Sequence, residues 1–221
     1  HYVRISKFKI ASVPVTQELW NLVMGTSARE NPSPNIGNDL PQTNISYRTI
    51  KTEFLNKLKK LTGKEYRLPT EAEWEYVAKG GQTHPISQML SKEFAVHKNL
   101  KRADALLNTV EGYTMYAGSN DADEVAWTKD NTNGIRPVGQ KKPVSGSLSV
   151  YDMSGNIWEW CEDYYQSDMY NDCITCKDRS KIQQEVDCKE ADYETLGFIS
   201  NPVCRNAEYT AHVFRGGSWL F

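Results

Sequence analysis

The sequence predicts an α+β domain with little regular secondary structure, and three observations support this. Helix signals occur in separate short segments, each preceded by a serine or threonine that can cap the first turn. Strand-like alternation is confined to short runs near the start, near residues 157–164 and at residues 213–214. Long stretches rich in proline, glycine, asparagine and aspartate separate these segments, which indicates extensive loops.

Composition excludes some classes of function. The chain has 221 residues, with 26 lysines and arginines against 28 aspartates and glutamates, so its net charge is −2. This charge gives no electrostatic reason to expect nucleic acid as a partner. No apolar run approaches the roughly 18 residues of a membrane span, and the first residues lack the apolar core of a signal peptide. We therefore expect neither a nucleic-acid partner nor a membrane span.

A strand and two helices are predicted in the first 63 residues. Apolar residues up to Ile10 alternate as in a short strand. Thr16 is a suitable N-cap for the segment QELWNLVM, and Gly25 ends that helix. Ser46 caps a second helix over residues 47–61, which Gly63 ends. The apolar stripes at helical spacing are Leu19, Trp20, Val23 and Met24 in the first helix and Ile50, Phe54, Leu58 and Leu61 in the second.

A third helix is predicted after Pro69, which disfavours helix in the residue before it. Thr70 and Glu73 form a capping box, in which each side chain satisfies the backbone N–H of the other residue. Gly80 closes the helix. Its inward-facing residues are predicted to be Trp74, Val77 and Ala78. Its acidic residues complement the helix dipole and are assigned no catalysis; they are Glu71, Glu73 and Glu75.

Outside residues 150–165, the residue types that carry chemistry form no motif that predicts a reaction. Residues 113–139 are predicted to be a long loop, and its potential metal ligands do not have the spacing of an EF-hand. These potential ligands are Asp121, Asp123, Asp130 and Asn131. None of the four histidines, His1, His84, His97 and His212, belongs to a recognisable catalytic arrangement with cysteine or serine.

The stretch VYDMSGNIWEWCEDYY, residues 150–165, is the most informative part of the sequence. Ser154, Gly155 and Asn156 predict a tight turn, because glycine takes positive φ easily and asparagine tolerates the left-handed region. A strand follows, with Trp158, Trp160, Glu162 and Tyr164 on one face and Ile157, Glu159, Cys161 and Asp163 on the other. The two tryptophans predict a large buried aromatic layer.

Two acids, Asp152 and Glu159, flank this turn. Hard oxygen ligands around a turn suit Ca²⁺, which predicts a metal site. The alternative is a core strand with solvated acids at its ends, because most acids are surface groups. Cys161, within the strand, is interpreted as a small buried residue.

Three long motifs occur in order: RLPTEAEWEYVAKGG at residues 67–81, YDMSGNIWEWCEDYY at 151–165 and FRGGSW at 214–219. Together they resemble the formylglycine-generating enzyme (sulfatase-modifying factor) family. The opening PVTQELWNLVMG at 14–25, followed by NPS at 31–33, fits the same family. The resemblance covers most of the chain. It implies that family's variant of the C-type lectin fold, an α+β domain with two main helices and a small twisted antiparallel sheet.

The resemblance also implies a calcium ion at the central turn. Its ligands would be the Asp152 side chain, the carbonyls of Gly155 and Ile157, and the Glu159 carboxylate. Asp152 replaces a frequent asparagine, which adds charge and should not weaken the site. The family's second calcium site has no matching pattern in this sequence, so we do not transfer it.

Copper is not expected. The family's enzymes bind it through a cysteine three residues after the serine that Ser218 matches, and through another cysteine five residues further on. Phe221 occupies the first position, and no residue of the given sequence matches the second. Phenylalanine cannot coordinate Cu(I), which prefers soft thiolates.

The resemblance therefore leads to a predicted non-catalytic binding or display module with a protein or small-molecule ligand. Residues 215–219 are similar to the junction after which the variable proteins of bacterial diversity-generating retroelements are diversified. The candidate binding surface is Arg215, Ser218, Trp219, Leu220 and Phe221. The alternative is an oxidase that converts a client cysteine to formylglycine with O₂ and copper. A third possibility is an oxidative iron enzyme built on this domain. Such enzymes carry a His-rich domain upstream, and none is visible in this sequence.

A cysteine-containing insertion is predicted at residues 166–209, within a single domain over residues 1–221 that lacks the family's extreme terminal segments. The cysteines of this insertion are Cys173, Cys176, Cys188 and Cys204, and only the first two are closely spaced. Structural zinc, two disulfides and free thiols all remain open from this spacing. The compartment is unknown, with an exported or cell-surface location slightly favoured over the cytoplasm.

Overall fold

The computed structural model describes residues 3–27, 30–81, 114–144, 148–167, 199–205 and 210–220. Within them, the chain combines short helices, short strands and long loops, as the sequence predicts. The helices are α1 (Gln17–Met24), α2 (Tyr47–Thr49), α3 (Leu55–Thr62), α4 (Glu71–Ala78) and α5 (Ala122–Val125), with a π-helical turn (Ile50–Phe54) joining α2 to α3. The strands are β1 (Val3–Arg4), β2 (Glu159–Tyr164), β3 (Ile199–Ser200) and β4 (His212–Arg215).

The four described strands form two small sheets. Strand β1 runs parallel to β3, and β2 runs antiparallel to β4. In the second sheet Glu159 is opposite Arg215 and Trp160 is opposite Phe214, with an irregularity between Trp160 and Tyr164. The early strand is shorter than the alternation up to Ile10 suggests: it ends at Arg4, and Ile10 packs against the core without belonging to a strand. No helix in the described ranges is long and apolar enough to cross a membrane.

The predicted helix caps are confirmed. The side chain of Thr16 accepts a hydrogen bond from the N–H of Leu19, and that of Ser46 accepts one from the N–H of Thr49. Thr70 and Glu73 form both bonds of the capping box, at 3.2 and 2.9 Å. Helices α1 and α3 end at left-handed glycines, Gly25 and Gly63, whereas the C-cap of α4 is Lys79, one residue before the predicted Gly80. These signals act within one helical turn, so the sequence alone identifies them.

The buried face of α1 differs from the predicted stripe. Trp20 and Val23 are buried, but Leu19 is exposed and Gln17 is almost fully buried. The Gln17 side chain donates to the carbonyl of Asn35 at 2.7 Å and accepts from the N–H of Gly37 at 3.1 Å. A buried amide thus anchors the following loop, which the apolar pattern could not reveal.

The π-helical turn changes the buried face of the second helical segment. Phe54 is buried and stacks on Trp20 with ring centroids 4.8 Å apart, while Leu58 packs beside them. Leu61, predicted to lie on the same face, is exposed. The wider π turn shifts the helical phase, so a face read at α-helical spacing drifts away from the core.

The largest core lies between α4 and the β2–β4 sheet. Its members come from both elements and from the connections around them: Trp74, Val77, Ala117, Val144, Val150, Met153, Cys161 and Val213. This core packs against the central turn through Met153. The central turn is therefore built on the larger of the two buried apolar clusters in the described ranges.

Candidate functional site

The central turn has the backbone that its sequence predicts. Gly155 and Asn156 both have positive φ, at 73° and 59°, and Asp152 has φ 60° as well. A Cβ on Gly155 would lie 2.3 Å from the carbonyl oxygen of Trp127, so only glycine fits there. The positive φ of Asp152 was not predicted, although aspartate is one of the residues that tolerates it.

Asn156 connects this turn to three other segments, and it is completely buried. Its N–H donates to the carbonyl of Trp127 at 2.8 Å, and its own carbonyl accepts from the N–H of Trp219 at 3.0 Å. Its side-chain amide bonds to both the backbone N–H and the carbonyl of Arg136. The turn therefore positions residues 127, 136 and 219 around one asparagine.

The two predicted acidic ligands lie in an environment that disfavours their charge. Asp152 is buried, and burial raises its pKa even though the Gly139 N–H donates to it at 2.7 Å. Burial of the Glu159 carboxyl raises its pKa to about 7, against a hydrogen bond of 2.8 Å from the Trp74 indole N–H. The nearby Asp152 charge also contributes to this rise. The structure therefore brings both acids to one partly desolvated region.

Two backbone carbonyl oxygens lie beside Gly216, whose own carbonyl accepts from the Gly155 N–H of the central turn. The carbonyl oxygens of Ile157 and Met153 lie 3.7 and 3.8 Å from the position that a Cβ on Gly216 would occupy. Oxygen atoms from carbonyls and carboxylates are the donors that Ca²⁺ prefers, so the residues present fit that ion. No group of three or more His, Cys, Asp or Glu side chains in the described ranges could hold a metal. A metal at this turn would thus depend on backbone oxygens.

The inner face of β2 is the buried one, and the prediction that Trp158 and Trp160 form a buried aromatic layer is wrong for Trp158. Cys161 and Asp163 are fully buried, whereas Trp158 remains 42% exposed. The alternation was predicted correctly, but the face that packs on α4 carries the smaller and acidic residues. Cys161 is buried as predicted, and burial raises the pKa of its thiol.

Asp163 is a structural carboxylate that sequence reasoning missed. Its two oxygens accept hydrogen bonds from the N–H of Glu71 at 2.7 Å and from the N–H of Cys204 at 2.9 Å. Glu71 is the first residue of α4, whose exposed N–H groups favour a negative charge. One acid therefore joins β2, α4 and the segment that contains Cys204.

The outer face of β2 begins a continuous row of aromatic rings. Phe214 of β4 meets Trp158 and Trp160 edge-to-face, at centroid distances of 5.0 and 5.6 Å. Trp160 contacts Tyr47 of α2, which stacks on His212. We call these residues the aromatic row: Trp158, Phe214, Trp160, Tyr47, His212 and Tyr164. Its exposed end is at Trp158 and at Phe214, which is 48% exposed.

The residues of the predicted surface at 215–221 differ in their exposure. Arg215 is half-buried, with its guanidinium 3.0 Å from Glu71 and above the ring of Trp74. The Ser218 hydroxyl is buried and accepts from the N–H of Leu220 at 3.3 Å. Trp219 is half-buried, and Leu220 is 53% exposed. Phe221 lies outside the described residues.

The cysteine-rich insertion is only partly described. Cys173, Cys176 and Cys188 lie outside the described residues, so disulfide or zinc binding stays a prediction. Cys204 is fully buried, and its Sγ lies 3.5 Å from the side-chain oxygen of Gln166.

The acidic loop before the central turn uses its side chains for local structure. Asp121 caps α5, and Asp123 accepts from the side chain of Asn131 at 2.6 Å. Such bonds within a loop explain these residues without a metal.

Comparison with known proteins agrees with the motifs. The family model "Sulfatase-modifying factor enzyme 1-like domain" matches residues 1–221. The chain is similar to a "Chaperone protein LppX" of Paenibacillus barcinonensis, at 30% identity over 213 residues, covering 74% of this chain and 64% of that protein. It is also similar to the formylglycine-generating enzyme of Mycobacterium tuberculosis, at 39% identity over 95 residues, covering 42% of this chain and 26% of that enzyme.

A solved structure shares the fold. Treponema denticola variable protein 1 superposes with a TM-score of 0.51 at 23% identity, covering 94% of this chain and 72% of that one. The chain thus spans less than two thirds of the length of the curated relatives above. The family model nevertheless matches every residue of the chain. The chain therefore belongs to the formylglycine-generating enzyme (sulfatase-modifying factor) family and has that family's variant of the C-type lectin fold.

Proposed function

We propose that this domain is a non-catalytic binding module that takes an apolar protein segment on the outer face of the β2–β4 sheet. The observation that carries the proposal is the exposed end of the aromatic row. Trp158 and Phe214 are 42% and 48% exposed, and Leu220 is 53% exposed in the turn held to Asn156. Trp158 and Phe214 contact each other; large apolar side chains grouped in this way on a surface are typical of interaction sites, and aromatic residues dominate their energetics.

The charges near this face favour an apolar partner. Lys51 donates to both carboxylate oxygens of Glu162, at 2.6 and 2.8 Å. Arg215 is engaged with Glu71 at 3.0 Å and with Glu75 at 3.7 Å. Because these charges are paired within the domain, they would add little selectivity for a charged ligand. The chemistry of the surface is thus that of its rings and of Leu220.

The absence of catalysis is supported by Phe221, which occupies the position of the family's first copper-binding cysteine. The test is turnover of a peptide carrying the sulfatase motif, in the presence of Cu(I) and O₂. We expect no aldehyde product by mass spectrometry. Formation of formylglycine would overturn the non-catalytic assignment and restore the oxidase alternative.

Binding can be tested with a phage-displayed random peptide library panned against the purified domain. Peptides selected on the wild-type protein should lose at least about tenfold in affinity on Leu220→Ser, because the exposed anchor is removed. The matched control is Leu22→Ser on α1, where the leucine is 74% exposed and lies away from the β2–β4 sheet. The control should bind as the wild type does.

A second variant tests the same surface without changing the turn that carries Leu220. Phe214→Ser removes the ring that contacts both tryptophans, so it should abolish the same binding. Melting curves verify that each variant is folded. Peptides whose affinity is unchanged in both variants would refute the proposed face, and selective binding on a glycan array instead would refute the protein partner.

We also propose that Ca²⁺ binds at the central turn, through Asp152, Glu159 and the carbonyls of Gly155 and Ile157. Two carboxyls whose ionised forms are disfavoured by burial support this, because a cation would relieve both. When bound, the ion would supply positive charge that fixes the turn, with no role in a reaction. Glu159 would hold it with the oxygen that the Trp74 indole does not engage.

The calcium site predicts a stability change that does not depend on any ligand assay. A ligand that binds only the folded state raises the melting temperature by mass action. Calcium should therefore raise the melting temperature over that in chelator, and Asp152→Asn or Glu159→Gln should each remove most of this rise. Equal melting curves with calcium and with chelator would contradict the site.

Diversification is a separate proposal, supported by the similarity of residues 215–219 to the variable-protein junction. It predicts a near-copy of the coding sequence beside a reverse transcriptase gene, with differences concentrated at adenine positions after the codon for Trp219. Sequencing the genomic neighbourhood tests this. A neighbourhood without such a copy would refute diversification and leave the binding proposal standing.

A further inference from the structure

Trp127 lies behind the central turn and carries an unsatisfied donor. Its carbonyl accepts from the Asn156 N–H, and its backbone forms a parallel bridge with Gly155. The indole Nε1 is buried and has no hydrogen-bond partner among the described residues. Such a donor has lost its water without gaining an acceptor, which is uncommon in folded proteins.

Two cations lie over this ring. Lys141 Nζ is 4.0 Å from the ring centroid, and the guanidinium carbon of Arg136 is 5.5 Å from it. No carboxylate of the described residues is within ion-pair distance of either cation. The neighbouring Lys142, in contrast, pairs with Glu124 at 2.6 Å. Attraction to an aromatic ring is a modest contribution, which leaves room for an anionic partner of the two cations.

The remaining polar contacts leave hydrogen-bonding capacity at the cluster. Arg136 Nε donates to the Thr132 hydroxyl at 2.7 Å, so its two terminal nitrogens are available. Lys141 donates to the backbone carbonyl of Asp123, whose carboxylate is engaged by Asn131. The Arg136 backbone is fixed by both ends of the Asn156 amide. The guanidinium thus projects from a rigid base.

The charges of Arg136 and Lys141 lie at most about 10 Å apart, because both are close to the same ring centroid. This separation is within one Debye length at about 0.1 M salt, so the two charges repel each other. An oxyanion would relieve this repulsion and give the indole N–H an acceptor. We propose that Trp127, Arg136 and Lys141 form a binding site for a tetrahedral oxyanion, a phosphate or sulfate group. Arginine offers a planar fork to such oxygens, and lysine adds a point charge.

This site goes beyond the proposed function, since none of its residues belongs to the aromatic row. Its failure would leave the peptide-binding proposal untouched, because the two tests use different variants and different probes. The shared neighbour is Asn156, which holds Arg136 on one side and Trp219 on the other. A ligand bearing a phosphate or sulfate at this position would therefore lie beside the turn that carries Leu220.

The test uses the indole N–H signals of the six tryptophans in a ¹H–¹⁵N correlation spectrum of the whole chain. Trp127→Phe identifies the Trp127 signal. Sodium phosphate and sodium sulfate are then titrated separately against sodium chloride at equal ionic strength. We expect a saturable shift of the Trp127 signal with phosphate or sulfate, and only small linear drifts of the other five. The anion with the lower Kd identifies the preferred group.

Charge-neutralising variants define the outcome. Arg136→Gln and Lys141→Gln should each weaken binding by at least about tenfold, because each removes a charge-assisted hydrogen bond. Lys142→Gln removes the same net charge from the adjacent position and should leave the Kd unchanged. A non-saturable shift, an equal shift with chloride, or unchanged binding in both Arg136→Gln and Lys141→Gln would overturn the site.

Discussion

Asp163 offers the sharpest test of how the domain is held together. Its carboxylate is fully buried and accepts from two backbone N–H groups, those of Glu71 and Cys204. Asp163→Asn keeps the shape but supplies only one acceptor oxygen, so one N–H would face the new amide NH₂. A buried donor without an acceptor costs about 1–3 kcal/mol, which sets an expected loss of about 2 kcal/mol for this variant.

The larger perturbation, Asp163→Ala, leaves both donors without acceptors. The expected loss is then about 4 kcal/mol from the two groups, before any contribution from the cavity. For a protein of about 150–250 residues, 1 kcal/mol shifts the melting temperature by roughly 2–4 °C. Asp163→Asn should thus lower it by about 4–8 °C and Asp163→Ala by about twice as much.

The assay is equilibrium unfolding in urea, with the midpoint and slope compared between variants. The matched control is Glu162→Gln, the preceding residue, which removes the same charge from the outer face. Its partly exposed pair with Lys51 should be worth no more than about 1 kcal/mol. If Asp163→Asn were as stable as Glu162→Gln, the Asp163 carboxylate would not be the group that joins β2 to α4 and to the segment that contains Cys204.

The pH dependence gives an independent check of the same residue. Burial raises the pKa of Asp163 in the folded protein, despite the hydrogen bonds that oppose this. The folded state therefore binds more protons than the unfolded state between the unfolded and the folded pKa. Stability from this group is present below the unfolded pKa and declines as pH rises through the folded pKa. The stability difference between wild type and Asp163→Asn should shrink in that direction; a difference that grows with pH would contradict the raised pKa and show that the hydrogen bonds from Glu71 and Cys204 outweigh burial.

Three other features of the central stretch have expected outcomes. Gly155→Ala should cost more than about 3 kcal/mol in equilibrium unfolding, because its Cβ would lie 2.3 Å from the Trp127 carbonyl oxygen; an unchanged midpoint would refute the clash. In calcium-free protein, burial raises the pKa of Glu159 to about 7 from 4.5, so wild-type stability should fall by up to about 3 kcal/mol as pH rises through that interval. Melting of Glu159→Gln in chelator should lack this fall, and identical pH profiles would exclude it. The Cys161 thiol should resist alkylation in the native state, since it is buried and its pKa is raised; labelling at the rate of the unfolded protein would contradict this.

Local chemistry explains what the sequence predicted correctly. The capping box joins Thr70 to Glu73, three residues apart, and the central turn depends on Gly155 and Asn156, which are adjacent. Each signal involves groups that meet within one turn of chain, whatever the rest of the fold does. The same holds for the glycines that end α1 and α3. Local rules therefore identified the helix ends and the turn directly.

The buried face of β2 could not be predicted in this way, because its partners are remote in sequence. Glu159 accepts from Trp74, 85 residues away, and Asp163 accepts from Glu71, 92 residues away. Alternation separates two faces but does not say which one meets α4. The sequence favours the tryptophans as core residues, because it does not reveal the remote N–H groups that bond to Glu159 and Asp163. The calcium ligands were predicted from the resemblance and stay a prediction, and Asp152 lies close enough to Glu159 for its charge to raise the pKa of that carboxyl.

The cations at Trp127 were missed for a different reason. Arg136 and Lys141 lie in a polar loop, where unpaired charged side chains usually face solvent, so the pattern did not indicate a ligand site. The available signal was the absence of acids between residues 131 and 142, beside a tryptophan. That signal becomes meaningful only once the indole N–H is known to be buried without an acceptor.

The two faces of β2 have different roles, and this makes stability and binding separable. The inner residues Glu159, Cys161 and Asp163 join the strand to α4 and the core, whereas the outer face begins the aromatic row. Asp163→Asn should therefore lower stability without changing the affinity of a selected peptide, measured where the variant is fully folded. Leu220→Ser should lower the affinity without changing stability. If each variant changed both quantities, the aromatic face would be part of the folding core, and its exposure would have no bearing on ligand binding.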